Sequence, residues 1–300
     1  MGYNVSDYNI DKNNIDDILP ALKKLDFIFI ALHGFFGEDG SIQKYLRWNN
    51  IKFNGSDEIP SLRCFDKEES KHTVLNHFQG LPISTPPFIA AGKKNYELYK
   101  NDKDWWNEFL DSNIYLKNAF SEKNKVVVKP IMQGSSIGFS VVECRNNLLD
   151  AIEKAFNSIP RKSKNDGIII EKYVGGKELT VSILGENALP IIEIRPKSNL
   201  YDYKSKYTKG ESNYICPAHI RDEIVDDKLI RQAALNIHKW LGCQVYSRVD
   251  FRLDNDKLWF LEVNTLPGMT ETSLFPMAAK ASGLSFEDLI DKIIKLSLEK

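Results

Sequence analysis

Three observations predict an α/β (α+β) fold for this chain. An uninterrupted apolar run, Phe27-Ile28-Phe29-Ile30-Ala31-Leu32, has the character of a parallel strand covered on both faces. Helix-like and strand-like segments alternate through the N-terminal part of the 300 residues. Near the C-terminus two strand-like segments, 245–253 and 258–264, flank the turn-forming Asp254-Asn255-Asp256-Lys257 and read as a β-hairpin.

The elements follow in order. Ile15, Ile18, Leu19, Leu22 and Leu25 recur at helical spacing. The strand expected over 27–32 ends in His33-Gly34 and the turn-rich Gly37-Glu38-Asp39-Gly40, where an α/β sheet presents its ligand crevice. A helix over 41–49 and a short strand over 51–54 come next. Residues 81–87, with three prolines, read as a boundary. Val126-Val127-Val128-Lys129-Pro130 is expected as a strand, 133–138 as a Gly/Ser loop, and 139–143 as a second strand. A helix near 147–157 leads to strands over 167–173, 178–184 and 189–196. The Tyr- and Lys-rich stretch 201–213 reads as a long polar loop, and 226–241 as a helix. Ser285-Phe286-Glu287-Asp288 has the pattern of a capping box opening the last helix.

Composition narrows the function classes. Forty basic and 41 acidic residues give a net charge of −1, so no charge excess points to nucleic acid or an anionic membrane. No apolar run reaches the 18 or so residues of a membrane span, and the expectation is a cytoplasmic protein. Cys64, Cys144, Cys216 and Cys243 are scattered without a CxxC and read as reduced thiols. His33, His72, His77, His219 and His238 show no metal-ligand spacing.

Four groups of residues carry chemistry. On the hairpin, residues two apart share a face, so Arg248 aligns with Asp250 and Glu262 with Asn264, and folding the turn brings Asp250 opposite Glu262. Carboxylates with an amide suit Mg²⁺, a hard cation that keeps water and phosphates as its other ligands; a solvated polar sheet face would look the same. Lys129 ends a strand just before Gly134-Ser135-Ser136-Ile137-Gly138. Glycines there let backbone N–H groups wrap phosphate oxygens, although a plain turn fits equally and no GxxxxGK[ST] occurs. Ile168-Ile169-Ile170-Glu171-Lys172-Tyr173 can wall an adenine, with Glu178 for a ribose; an ordinary strand edge is the alternative. Tyr201-Asp202-Tyr203-Lys204-Ser205-Lys206-Tyr207 reads as a lid or as a structural loop.

Five blocks in register resemble the D-alanine–D-alanine ligase family: Ala31–Gln43, Lys129–Gly138, Asp202–Tyr207, Arg248–Asp250 and Glu262-Val263-Asn264-Thr265-Leu266-Pro267-Gly268-Met269-Thr270. The resemblance implies an ATP-grasp fold, with two α/β lobes clasping ATP and a truncated N-terminal parallel α/β domain. The implied parts are residues 1–84, 85–178 and 179–300. It implies that ATP phosphorylates one D-alanine carboxylate and that the amine of a second D-alanine attacks the acyl phosphate. Asp250, Glu262 and Asn264 would hold Mg²⁺ or Mn²⁺. Lys67, Lys129 and Lys206 would meet the phosphates, with Glu171, Lys172 and the Val174 backbone on adenine and Glu178 on ribose. Arg248 and the Gly268 N–H would stabilise the tetrahedral oxyanion. Ser135 and Tyr207 would organise the lid and the first amino acid beside His33, and Ser273 and Leu274 would hold the second substrate's carboxylate. Family members are commonly homodimers.

In the family, a strand, a glycine-rich turn and a helix precede the part matching Met1, and that segment carries a glutamate positioning the first D-alanine amine. Residues 1–14 do not match it. An incomplete N-terminal domain is therefore expected, with 27–32 short of a neighbour. Two rival readings accompany the ligase reading: a relative using another amino acid or a hydroxy acid, and a nucleotide-binding pseudoenzyme. Tyr207 favours an amine nucleophile, since members favouring D-lactate typically carry Phe or His there.

Overall fold

The computed structural model describes residues 2–78, 82–118, 125–160, 166–197, 212–220, 224–255 and 257–300. Helices α1 (Ile15–Leu22) and α2 (Ser41–Trp48) form where the spacing predicts, burying Ile15, Leu22, Ile42 and Leu46. The two N-terminal strands do not form as expected. They reduce to a single parallel bridge, Ile28 to Phe53, and of the apolar run only Ile30 is fully buried. A side chain replaces the missing ladder. Asn54 Oδ1 accepts the Ile30 N–H at 2.5 Å, and its Nδ2 donates to the Tyr246 hydroxyl at 2.6 Å and to the Ile30 carbonyl at 3.3 Å. A buried amide that meets backbone donors and acceptors satisfies them without a strand partner.

Helices α3 (Glu58–Phe65) and α4 (Lys67–His77) follow. Periodicity misses α4 because its buried face is Lys67, Ser70, Lys71 and Val74, three polar residues and one apolar. Its start is nonetheless well capped: the Asp66 carboxylate accepts the Glu68 and Glu69 N–H groups, each at 3.0 Å. The boundary read at 81–87 contains β1 (Ile83–Ser84), and β2 (Phe88–Ala91) follows directly. Next come α5 (Lys93–Tyr99), α6 (Lys103–Asp111), α7 (Ile114–Lys117), β3 (Val126–Pro130), β4 (Ser140–Val142), α8 (Leu148–Asn157), β5 (Ile168–Lys172), β6 (Lys177–Leu184), β7 (Asn187–Ala188) and β8 (Ile192–Pro196).

Ser212 and Asn213, expected in a loop, begin strand β9 (Ser212–Ile215), which pairs antiparallel with β8. Residues 201–211, the rest of that expected loop, lie outside the described residues. The chain closes with α9 (Asp227–Trp240), β10 (Tyr246–Asp254), β11 (Lys257–Asn264), α10 (Leu274–Ala281) and α11 (Phe286–Leu298), the last opened by the predicted Ser285/Asp288 capping box.

The strands form two sheets. The smaller has the order β2-β5-β3-β4 and is antiparallel throughout. The larger has the order β1-β11-β10-β6-β8-β9, with β7 on β6, and only β1–β11 is parallel. Alternation along the strands sorts core from cleft. In β10, Val249, Phe251 and Leu253 pack with Ile230, Ala233, Ala234 and Ile237 of α9, which leaves Arg248, Asp250 and Arg252 on the opposite face. In β3 and β5, Val126, Val128, Ile168 and Ile170 pack with α6 and α8, which leaves Lys129 and Glu171 facing the other way.

A bulge completes the arrangement. Asp250 pairs with Glu262, as expected, but Phe251 pairs with Phe260, so Leu261 is the extra residue. Without it Glu262 would share a face with core residues Leu258 and Phe260. The four cysteines are free, and Cys64 and Cys243, far apart in sequence, meet in the core with sulfurs 3.3 Å apart. Among the described residues no helix is long and apolar enough to cross a membrane.

Candidate active site

Two cavities share a wall, the first between the two sheets and the second between the larger sheet and the N-terminal segment. The first is lined by Lys67, Lys129, Gln133–Ile137, Glu171, Lys172, Val174, Glu178, Asp250, Arg252 and Glu262. The second is lined by His33, Glu38, Lys67, Gln133, Gly134, Ser135, Arg248, Glu262, Asn264, Gly268, Ser273 and Leu274. Lys67, Gln133, Gly134, Ser135 and Glu262 border both. Every site residue expected from the sequence borders a cavity except Lys206 and Tyr207, which lie outside the described residues.

In the first cavity the cations and carboxylates are already paired. Glu171 Oε1 sits 2.6 Å from Lys129 Nζ, and its Oε2 sits 2.9 Å from Lys71 Nζ. Burial pushes the Glu171 carboxyl up, but the two lysines outweigh it and hold it below the usual range. Glu178 accepts from Arg252 Nη2 at 2.7 Å. The loop that closes this cavity is bent against its residue types: Ser135 and Ser136 both lie in the left-handed region, φ 53° and 58°, where non-glycine residues are uncommon. Gly138 at φ 73° has no substitute. A Cβ there would overlap Ser158 Oγ and approach Pro130 Cγ to 3.0 Å.

On the hairpin, Arg248 Nε and Nη2 donate to the two oxygens of Asp250 at 3.0 and 2.9 Å, and Thr180 Oγ1 donates to Oδ1 at 2.6 Å. Lys67 Nζ lies 3.6 Å from Glu262 Oε2 and donates to the Gln133 carbonyl at 2.7 Å. Asn264 Oδ1 accepts the Leu266 N–H at 2.9 Å. Among the described residues no three His, Cys, Asp or Glu side chains are grouped to hold a metal. The set here is two facing carboxylates and one amide. Its chemistry fits a hard divalent cation that takes its remaining ligands from phosphate and water, with Arg248 sharing Asp250.

In the second cavity, Thr270 N–H donates to Ser273 Oγ at 3.0 Å, and Ser273 precedes α10, so hydroxyls and a helix N-terminus border the cavity, a setting that favours an anion. Partial enclosure, with the Arg248 charge, lowers the His33 imidazole.

Two residues that line these cavities, Arg252 and Glu38, and one buried behind them, Lys71, do not stand out in the sequence. Arg252 continues the 248/250 alternation, a signal that was present. Lys71 lies one turn beyond Lys67 on the unpredicted α4. Glu38 sits inside the turn-rich block, where its neighbours signal only a turn. It accepts the Gly34 N–H at 2.5 Å, and burial pushes its carboxyl up to about 7; Gly34, Arg248 and Lys67 pull it down and Glu262 pushes it further up.

A testable pH dependence follows. Folded Glu38 holds its proton more tightly than an unfolded glutamate, so its stabilising contribution is complete below its ordinary value of 4.5 and is lost as pH rises through about 7. A shift of this size corresponds to on the order of 3 kcal/mol. Glu38→Gln should keep the stability seen at low pH and flatten the decline across that window. Thermal melts in metal-free buffer through the same pH range check this, and an unchanged decline in the variant would count against it.

Comparison with known proteins assigns the family. The family model described as "D-ala D-ala ligase C-terminus" matches residues 81–295, and "D-ala D-ala ligase N-terminus" matches residues 5–56. The chain belongs to the D-alanine–D-alanine ligase family. Its similarity to the D-alanine–D-alanine ligase of Methylacidiphilum infernorum is 40% identity over 299 residues, covering 99% of this chain and 86% of that one. The solved D-alanine–D-alanine ligase from Bacillus anthracis complexed with ATP superposes with TM-score 0.74 at 32% identity, covering 96% of this chain and 84% of that chain. VanG D-Ala:D-Ser ligase from Enterococcus faecalis superposes with TM-score 0.72 at 31% identity, covering 91% and 73%. Membership of the D-alanine–D-alanine ligase family brings with it the two-lobed ATP-grasp fold expected from the sequence.

Proposed function

We propose that this chain ligates two D-alanine molecules into D-alanyl-D-alanine with ATP, releasing ADP and phosphate, as a cytoplasmic step of peptidoglycan synthesis. The observation that carries this reading is the shared wall. A nucleotide in the first cavity and a carboxylate in the second would meet across Lys67, Gln133–Ser135 and Glu262, the arrangement that phosphoryl transfer between them needs.

In this reading Glu171, Lys172, Val174 and Glu178 hold the nucleoside. Lys67, Lys129 and the N–H groups of the 134–138 loop hold the phosphates, joined by Lys206. Asp250, Glu262 and Asn264 are the residues that would hold Mg²⁺, which when bound neutralises charge on the transferring phosphoryl group. His33, Ser135 and Tyr207 line the first D-alanine, whose carboxylate oxygen attacks the γ-phosphorus as ADP leaves. The second D-alanine, its carboxylate against Ser273 and the Leu274 N–H end of α10, then presents its amine to the acyl carbon. Arg248 and the Gly268 N–H stabilise the oxyanion that forms, and phosphate departs as the amide bond is completed.

ADP release measured with and without D-alanine tests the reading. A ligase gives D-alanine-stimulated ADP with matching dipeptide. Nucleotide binding with no such stimulation would leave only a binding protein.

A further inference from the structure

Lys71 is fully buried, at 0% exposure, and lines neither cavity. It nevertheless touches both walls of the nucleotide cleft. Its Nζ lies 2.9 Å from Glu171 on β5 of the smaller sheet. It also donates to Thr85 Oγ1 at 2.7 Å, and that hydroxyl donates to the Phe260 carbonyl on β11 of the larger sheet at 3.2 Å. Around it stand Glu171 (β5), Lys129 (β3), Glu262 (β11) and the Phe88 ring of β2.

Glu171 therefore has two cationic partners for one negative charge, and the two differ in freedom. Lys129 is 12% exposed and lines the cavity, whereas Lys71 has no route to solvent. If Lys129 turns from Glu171 toward an anion in the cavity, Glu171 keeps a counter-ion only because Lys71 stays. Without Lys71, the same movement would leave a buried carboxylate bare, which is strongly unfavourable. Lys129 would then remain locked to Glu171.

We propose that Lys71 is a positioning residue for the nucleotide: the fixed counter-ion of Glu171 that frees Lys129 to bind the nucleotide's phosphates, and the buried tie between the two sheets of the cleft. This deepens the ligase reading and rests on its nucleotide site. Burial lowers the Lys71 ammonium to about 8 while Glu171 opposes the shift, so the side chain stays mostly protonated at neutral pH.

The test is a double-variant cycle on the full chain, with Lys71→Met, Glu171→Gln and the pair together. Mg·ATP affinity is measured by calorimetry, and ATP and D-alanine KM values by ADP release. Lys71→Met should weaken ATP binding about tenfold or more, with the D-alanine KM changed by less than about twofold. Adding Glu171→Gln should recover part of the loss, because a neutral amide no longer holds Lys129. The double variant removes both buried charges together, so it carries the test even if Lys71→Met does not fold. Wild-type ATP affinity in Lys71→Met, whatever its melting temperature, would overturn the proposal. Strictly additive effects, or a folded double variant that binds no ATP, would do the same. A wild type that binds no ATP would overturn the ligase reading along with it, which separates that failure from failure of the Lys71 role alone.

Discussion

Glu262→Gln is expected to lower D-alanine-dependent ADP release by about two orders of magnitude or more. The bulge at Leu261 turns Glu262 out of the core and onto the wall between the two cavities. There it faces Asp250 across the hairpin and lies 3.6 Å from Lys67. Glutamine keeps the shape and the hydrogen-bonding oxygen but not the charge, so the loss falls on charge neutralisation during phosphoryl transfer. Stability should barely move: the side chain is 33% exposed and contributes little to the core, and such substitutions usually stay within about 0.5 kcal/mol. The check is ADP release at saturating substrates, paired with a thermal melt. Near-normal turnover in a well-folded variant would remove Glu262 from the mechanism.

Arg248→Ala should be as damaging, by a different route. The guanidinium forks onto Asp250 with bonds of 3.0 and 2.9 Å and lines the amino-acid cavity. Its removal strips the oxyanion of a donor, a loss worth about 10²–10³ in kcat. It also strips Asp250 of the guanidinium that bonds both of its oxygens. The expected signature is a fall in kcat with ATP affinity held within a few-fold, because Arg248 does not line the nucleotide cavity. A variant that loses ATP binding while retaining kcat would place the residue's role elsewhere.

The hairpin was legible because alternation and a clear turn specify both strands, and with them the pairing of Asp250 with Glu262. The bulge that orients Glu262 was not, since Leu261 carries no glycine or proline signal. Helix α4 was silent because its inward face is built from lysines and a serine, which hydrophobic periodicity cannot detect. That silence hid Lys71, and the electrostatics of the nucleotide cleft with it. The N-terminal run misled for the opposite reason. Its apolar residues resemble a covered strand, but the Asn54 side chain, not a neighbouring strand, takes up the Ile30 backbone. Strand β9 is only Ser-Asn-Tyr-Ile, too short and polar to stand apart from the Tyr- and Lys-rich sequence that precedes it. The remaining site positions rest on the family resemblance as a whole rather than on periodicity, and Glu38, inside one of its blocks, carries only a turn signal.

In the proposed reaction a phosphoryl group passes from the nucleotide cavity to a substrate carboxylate in the adjoining one. Supplying D-alanine labelled with ¹⁸O in its carboxylate, with unlabelled ATP and water, tests it directly by mass spectrometry of the released phosphate and of the dipeptide. Transfer through an acyl phosphate predicts one ¹⁸O in each phosphate released and a matching loss from the new amide carbonyl. Unlabelled phosphate, released with or without dipeptide, would rule out an acyl phosphate on this enzyme.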